Sequence, residues 1–138
     1  MILLDAYALI AFMVGDPAAT QVRAILREGD AAFATTNLAE TLDVSQRLYG
    51  LPIARAMDVL EPLFDGPLRP IPLDLSVAQK AAEIRAKHYH RTSSPLSLAD
   101  AVLIASAKQD DSIATADPHV LAVAKIEKIK PVALPEQG

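Results

Sequence analysis

Apolar residues in this chain fall into two patterns: short unbroken runs, and longer stretches in which they recur at helical spacing. Residues 1–4, M-I-L-L, predict a buried strand that continues into a helix to about residue 14. Asp16-Pro17 predicts a second helix, with the aspartate as N-cap and proline in the first turn, ending near Gly29. A second strand is predicted over 31–35; Thr36-Asn37 then opens a helix that runs to about Tyr49 and stops at Gly50. Leu51-Pro52 opens another, to about Phe64, and 68–73 reads as a strand whose two prolines confine it to a sheet edge. Ser76 with Gln79 has capping-box spacing and predicts a helix to about His90. After a polar loop over 91–95 come a helix over 97–109, a strand over 112–115, a short helix over 118–124 and a last strand over 129–133.

Strands alternating with helices predict an α/β fold in three layers, a central parallel sheet of about 4–5 strands flanked by helices. No repeat, linker or low-complexity stretch interrupts the chain, so residues 1–138 read as one domain. Hydrophobic residues make up 51% and charged ones 22%, the balance of a folded protein; with 4% aromatics the core must be aliphatic. The absence of cysteine excludes disulfides, thiolate metal sites and a cysteine nucleophile, and fits a cytoplasmic location. The apolar N-terminal stretch has no basic leader, carries Asp5, and is too short to span a bilayer. A net charge of −4 weighs against a polyanionic partner. Lys80, Arg85, Lys87, His88, His90 and Arg91 cluster in one segment and Lys125, Lys128 and Lys130 in another; both read as solvated surface.

Within S-L-A-D-A-V-L-I-A-S-A, residues 97–107, Asp100 interrupts an otherwise apolar helix. Burying a carboxylate is costly unless a cation or hydrogen-bond donors satisfy it. Asp100 stands three residues after Ser97 and so completes a capping box. Asp5, Glu40 (three after Asn37) and Asp117 (before Pro118) read equally well as helix-start residues. All four are predicted in the first turn of helices that follow strands, at the carboxyl edge of the sheet where open α/β folds bind ligands. Carboxylates gathered there repel one another unless a cation intervenes, and hard divalent ions prefer oxygen ligands. A metal site resolves both problems. Asp74 reads as a loop acid because Ser76 caps that helix, and Asp16 and Asp65 fall at the opposite edge. Asp110-Asp111 reads as a solvated turn, and His88, His90 and His119, which lack ligand spacing, as surface residues.

The segments M-I-L-L-D-A-Y-A-L-I-A, T-N-L-A-E, L-S-L-A-D-A-V-L-I-A-S-A and I-A-T-A-D-P, in this order, resemble the PIN domain, and in particular the VapC-type ribonuclease toxins of toxin–antitoxin pairs. The resemblance implies an acidic quartet of Asp5, Glu40, Asp100 and Asp117, with Thr115 as a supporting hydroxyl. It also implies RNA cleavage dependent on Mg2+ or Mn2+, and inhibition by a VapB-type antitoxin. In that scheme Asp5 and Asp100 are the main ligands, Glu40 orients or deprotonates the attacking water, and Asp117 completes a second metal position. Relatives often carry Ser or Thr just after the first aspartate; Ala6 and Tyr7 stand there instead.

Two alternatives stay open. One is a PIN-like RNA-processing protein with no toxin role. The other is a phosphoacceptor module, which needs paired acids after the first strand and a late lysine, whereas Asp5 stands alone. A haloacid-dehalogenase-type phosphatase needs a second aspartate where Tyr7 lies. The segment 51–63 carries Leu51, Ile53, Ala54, Met57, Val59, Leu60 and Leu63, which cover more than one helix face. It reads either as a core helix or, following the resemblance, as part of a homodimer and antitoxin surface.

Overall fold

The computed structural model describes residues 1–136. The chain opens with β1 (Ile2–Leu4) and α1 (Ala6–Val14), then α2 (Ala19–Arg27), β2 (Ala31–Ala34), α3 (Thr35–Tyr49) and α4 (Ile53–Leu60). A single 3-10 turn (Glu61–Leu63) leads to β3 (Leu68–Ile71), followed by α5 (Leu75–His88) and α6 (Leu98–Ser106). The chain closes with β4 (Ser112–Thr115), α7 (Pro118–Ile126) and β5 (Lys130–Ala133). All strand pairings are parallel, in the order β3-β2-β1-β4-β5. The predicted α/β sandwich is therefore what forms, with the proline-bearing strand β3 at an edge.

Alternation along each central strand divides the core in two, as parallel strands buried on both faces require. Leu3, Ala32 and Ile113 enter one cluster, shared with Ala81 and Ile84 of α5, Leu103 and Ile104 of α6, and Val120 and Val123 of α7. Leu4, Phe33 and Ala114 enter the other, shared with Leu9 of α1 and Val22, Ile25 and Leu26 of α2. β1 is central because it is apolar on both faces, and the chain winds outward from it in both directions. The point where that winding reverses, between β1 and β4, is the usual ligand position in such sheets. α3 leaves β2 without a loop and packs against both α1 and α6.

Local departures from the predicted pattern each have a side-chain cause. Asp16 does not cap α2: it accepts the Ala18 N–H at 3.2 Å, and this tight turn delays the helix to Ala19. Asp74, rather than Ser76, caps α5 by accepting the Val77 N–H at 2.9 Å, while Gln79 bonds Glu83 instead of a cap. α6 ends at Ser106, not 109, and Ser106 returns its hydroxyl to the Val102 carbonyl at 2.7 Å. Asp111 is no solvated acid. It is buried and accepts from the amino terminus at 3.0 Å and from the Lys108 N–H at 2.9 Å. His88 is not a free surface residue either; its side chain is largely buried and lies 2.6 Å from Glu127. Gly50 ends α3 as predicted, with a φ of 66° that a side chain would strain.

No single helix among the described residues is long and apolar enough to cross a membrane; the pair α1–α2 reaches that length only across a 103° bend. Phe33, fully buried on β2 with its ring 4.9 Å from that of Phe64, fills the largest single volume in the core. Phe33→Ala is expected to cost about 3–5 kcal/mol of unfolding free energy, read from urea denaturation by circular dichroism.

Candidate active site

Asp5 follows β1 directly and caps α1, its Oδ1 accepting the Ala8 N–H at 2.8 Å. Asp117 follows β4 by two residues and caps α7 in the same way, accepting the His119 N–H at 2.8 Å. The buried Thr115 hydroxyl fixes that turn by accepting the Asp117 N–H at 3.1 Å. Asp100 and Ser97 form the predicted capping box: the Asp100 N–H donates to Ser97 Oγ at 3.0 Å and the Ser97 N–H to Asp100 Oδ2 at 3.2 Å. Each of the three aspartates therefore commits one oxygen to its own helix N-terminus and keeps the other outside the cap. Caps and cleft-lining groups are here the same residues.

Two placements differ from the predicted ones. α3 begins at Thr35, with Ala34 as N-cap, so Asn37 lies inside the helix and caps nothing. Glu40 is consequently in the second turn, because the helix springs straight from β2. Asp100 lies in a first turn, but its helix follows α5 and a loop, not a strand.

These elements converge on a cleft of about 650 Å³, lined by Asp5, Glu40, Asp100 and Asp117 together with Tyr7, Val44, Leu48, Tyr49 and Glu136. Thr115 lies beneath it and does not line it. The rival acids Asp16, Asp65, Asp74, Asp110 and Asp111 do not line it either. Val44 and Leu48 follow Glu40 at four-residue steps, so the helical period would have identified them. Glu136 comes from the stretch after β5 and carried no signal in the sequence. Tyr7, at the position where relatives often have a small hydroxyl, turns its own hydroxyl away from the acids. It lies 2.6 Å from the Pro135 carbonyl and 2.9 Å from Asp16 Oδ1.

The acids perturb one another. Burial pushes the Asp5 carboxyl up to about 6, with the charges of Asp100 and Glu40 adding to the rise. The Thr115 hydroxyl and the Ala8 N–H pull it back. Burial and the Asp100 charge raise Glu40, and burial and the Asp117 charge raise Asp100. No three acidic or histidine side chains among the described residues stand close enough to enclose a metal ion by direct ligation. The donor set is nevertheless of one chemical kind, carboxylate oxygen. A hard cation such as Mg2+ takes one or two carboxylates directly and keeps several waters, so the set fits such an ion.

A parallel α/β sheet with four carboxylates at its switch point defines a class of acidic-cleft proteins. A family model described as the PIN domain matches residues 2–129, and the chain belongs to that family. Among curated proteins no sequence matches. Among solved structures, a FitAcB structure from Neisseria gonorrhoeae is similar at 24% identity and a TM-score of 0.68, over 95% of this chain and 96% of that one. A DNA-bound VapBC from Salmonella typhimurium is similar at 16% identity and a TM-score of 0.66, over 96% of both. A toxin–antitoxin complex from Klebsiella pneumoniae is similar at 18% identity and a TM-score of 0.65, over 88% of this chain and 91% of that one. At these identities the likeness is one of fold.

The raised Asp5 carboxyl has a consequence for stability. Its folded value lies above the unfolded 3.8, so the folded state keeps a proton that the unfolded chain has released. Its stabilising contribution is complete below about pH 4 and is lost as pH rises through about 6, on the order of 3 kcal/mol in all. In chelator, urea unfolding from pH 4 to 7.5 is expected to show this decline in the wild-type protein, and a clearly shallower one in Asp5→Asn.

Proposed function

We propose that this protein is a divalent-metal-dependent endoribonuclease and the toxin of a toxin–antitoxin pair, acting as a single PIN domain in the cytoplasm. Membership of the PIN family supports nuclease chemistry, and the similarity to the toxin–antitoxin complex from Klebsiella pneumoniae supports the toxin role. The observation that carries the reading is the gathering of four carboxylates, from four separate stretches of chain, onto one cleft.

In this reading Asp5 and Asp100 would hold Mg2+ or Mn2+, and Asp117 would support a second position. The bound ion supplies Lewis acidity and a water of lowered pKa. Glu40, half-buried and raised by its surroundings, accepts the proton of the attacking water. Thr115 holds the Asp117 turn in place. The apolar cleft wall of Val44, Leu48 and Tyr49 offers surface for a base or an inhibitor side chain.

An antitoxin fits the same cleft by charge. A cationic side chain among the four acids would offset their repulsion and block the metal position. Apolar side chains stand exposed on α3 and α4: Leu48, which lines the cleft, is 68% exposed, and Ile53 and Val59 are each 46% exposed. The segment 51–63 is thus only half a core helix, with Ala56 and Leu60 buried and the remainder available to an antitoxin or a second copy of the chain. Homodimerisation belongs to the same proposal.

Cleavage of a labelled RNA by the purified full-length chain is expected with Mn2+ or Mg2+ and not with excess chelator. Asp100→Asn should remove most of it, and Glu40→Gln should lower it by about 10²–10⁴-fold. Undiminished cleavage by Asp100→Asn overturns the site. Mn2+ at about 100 times its dissociation constant should add about 2.7 kcal/mol of stability. Coincident melting curves with and without saturating ion would contradict that. Light scattering at micromolar concentration tests the dimer, with a clean monomer counting against it.

A further inference from the structure

Asn37 is the third residue of α3, fully buried, and neither atom of its side-chain amide has a hydrogen-bond partner. A buried amide in that state is costly to the fold. Thr41, one turn on, returns its hydroxyl to the Asn37 carbonyl at 2.7 Å, as a small hydroxyl on a helix can do. The Asn37 side chain has no such outlet. It carries two donors as well as an acceptor, and no group among the described residues meets them.

Glu40 stands three residues further along the same helix, the spacing at which two side chains meet on one face. It is half-buried and lines the cleft, whereas Asn37 lies behind it, away from solvent. The amide is near enough to favour the charged Glu40 carboxylate, yet no hydrogen bond between them is formed. A charged carboxylate only accepts, so the nitrogen end of the amide must be the end that faces it. An amide is also the right kind of support beside a cation site. A lysine or arginine there would cancel the acid's charge and repel the ion, whereas asparagine donates a hydrogen bond and adds no charge.

We propose that Asn37 is a positioning residue for Glu40: its buried N–H closes onto the Glu40 carboxylate when the cleft is loaded, fixing which oxygen Glu40 turns toward the ion and its water. This rests on the metal-dependent reading above. Hydrogen-bonded partners behind metal-site carboxylates typically contribute 10–100-fold to metal affinity.

The test is Mn2+ binding to the full-length chain by calorimetry, with melting curves in chelator alongside. Asn37→Ala is expected to weaken Mn2+ binding about tenfold, while the chelated protein melts at the same temperature or higher, since an unsatisfied buried group has gone. In a Glu40→Gln background, where Asp5 and Asp100 still hold the ion, the same alanine substitution should change affinity less than twofold, because the partner is missing. Asn37→Ser goes through the same cycle should the alanine protein fail to fold, with the loss again confined to the Glu40 background. An Asn37→Ala protein that binds Mn2+ as tightly as wild type overturns the proposal alone. So does a tenfold loss that persists in Glu40→Gln. A wild-type chain that binds no Mn2+ overturns the metal-dependent reading, and this proposal with it.

Discussion

The repulsion among Asp5, Glu40, Asp100 and Asp117 is the constraint to which the rest of the molecule answers. Burial and mutual charge raise three of the four carboxyls, so holding them in one cleft opposes folding. The fold meets that cost with the most apolar part of the sheet. β1 and β4, neighbours at the centre, are buried on both faces and end beneath the acids. The cleft is fixed by strands that cannot shift without exposing Leu3, Leu4, Ile113 or Ala114.

Helix N-termini do the local work. Asp5, Asp100 and Asp117 each satisfy a backbone N–H of their own helix with one oxygen, and the helix dipole favours the negative charge that the neighbouring acids disfavour. Position and charge of these three are thus secured within a few residues of each, and among the described residues no salt bridge reaches them. A cation placed against these acids by the protein itself would have neutralised the field that draws a divalent ion. The polar pairs elsewhere, Asp111 with the amino terminus and His88 with Glu127, are separate from this cleft.

Tyr7 shows how a departure from the common pattern is absorbed. Its hydroxyl is taken up by Pro135 and Asp16, so it lends no hydrogen bond to the acids. It ties the stretch after β5 to α1, and that stretch brings Glu136 to the rim. Hydroxyl support beneath the acids comes instead from Thr115, through the Asp117 turn.

The α/β class, the edge position of β3, the capping box at Ser97 and the helix-start places of Asp5, Asp100 and Asp117 were all legible in the sequence. Each depends on short-range physics: alternation along a strand, the missing N–H of proline, a carboxylate within reach of a helix N-terminus. The meeting of Asp5 and Asp117 was inferable from the rule that helices following parallel strands start at one edge of the sheet; that of Asp100 was not, because its helix follows α5 and a loop. The second-turn place of Glu40 was not, because it depends on β2 entering α3 without a loop. The burial of Asn37 and Asp111 was likewise decided only by tertiary packing. Asparagine and aspartate carry the same short-range signal at a cap, in a turn or in the interior, and only α3 crossing between α1 and α6, or the amino terminus arriving beside β4, determines which it is.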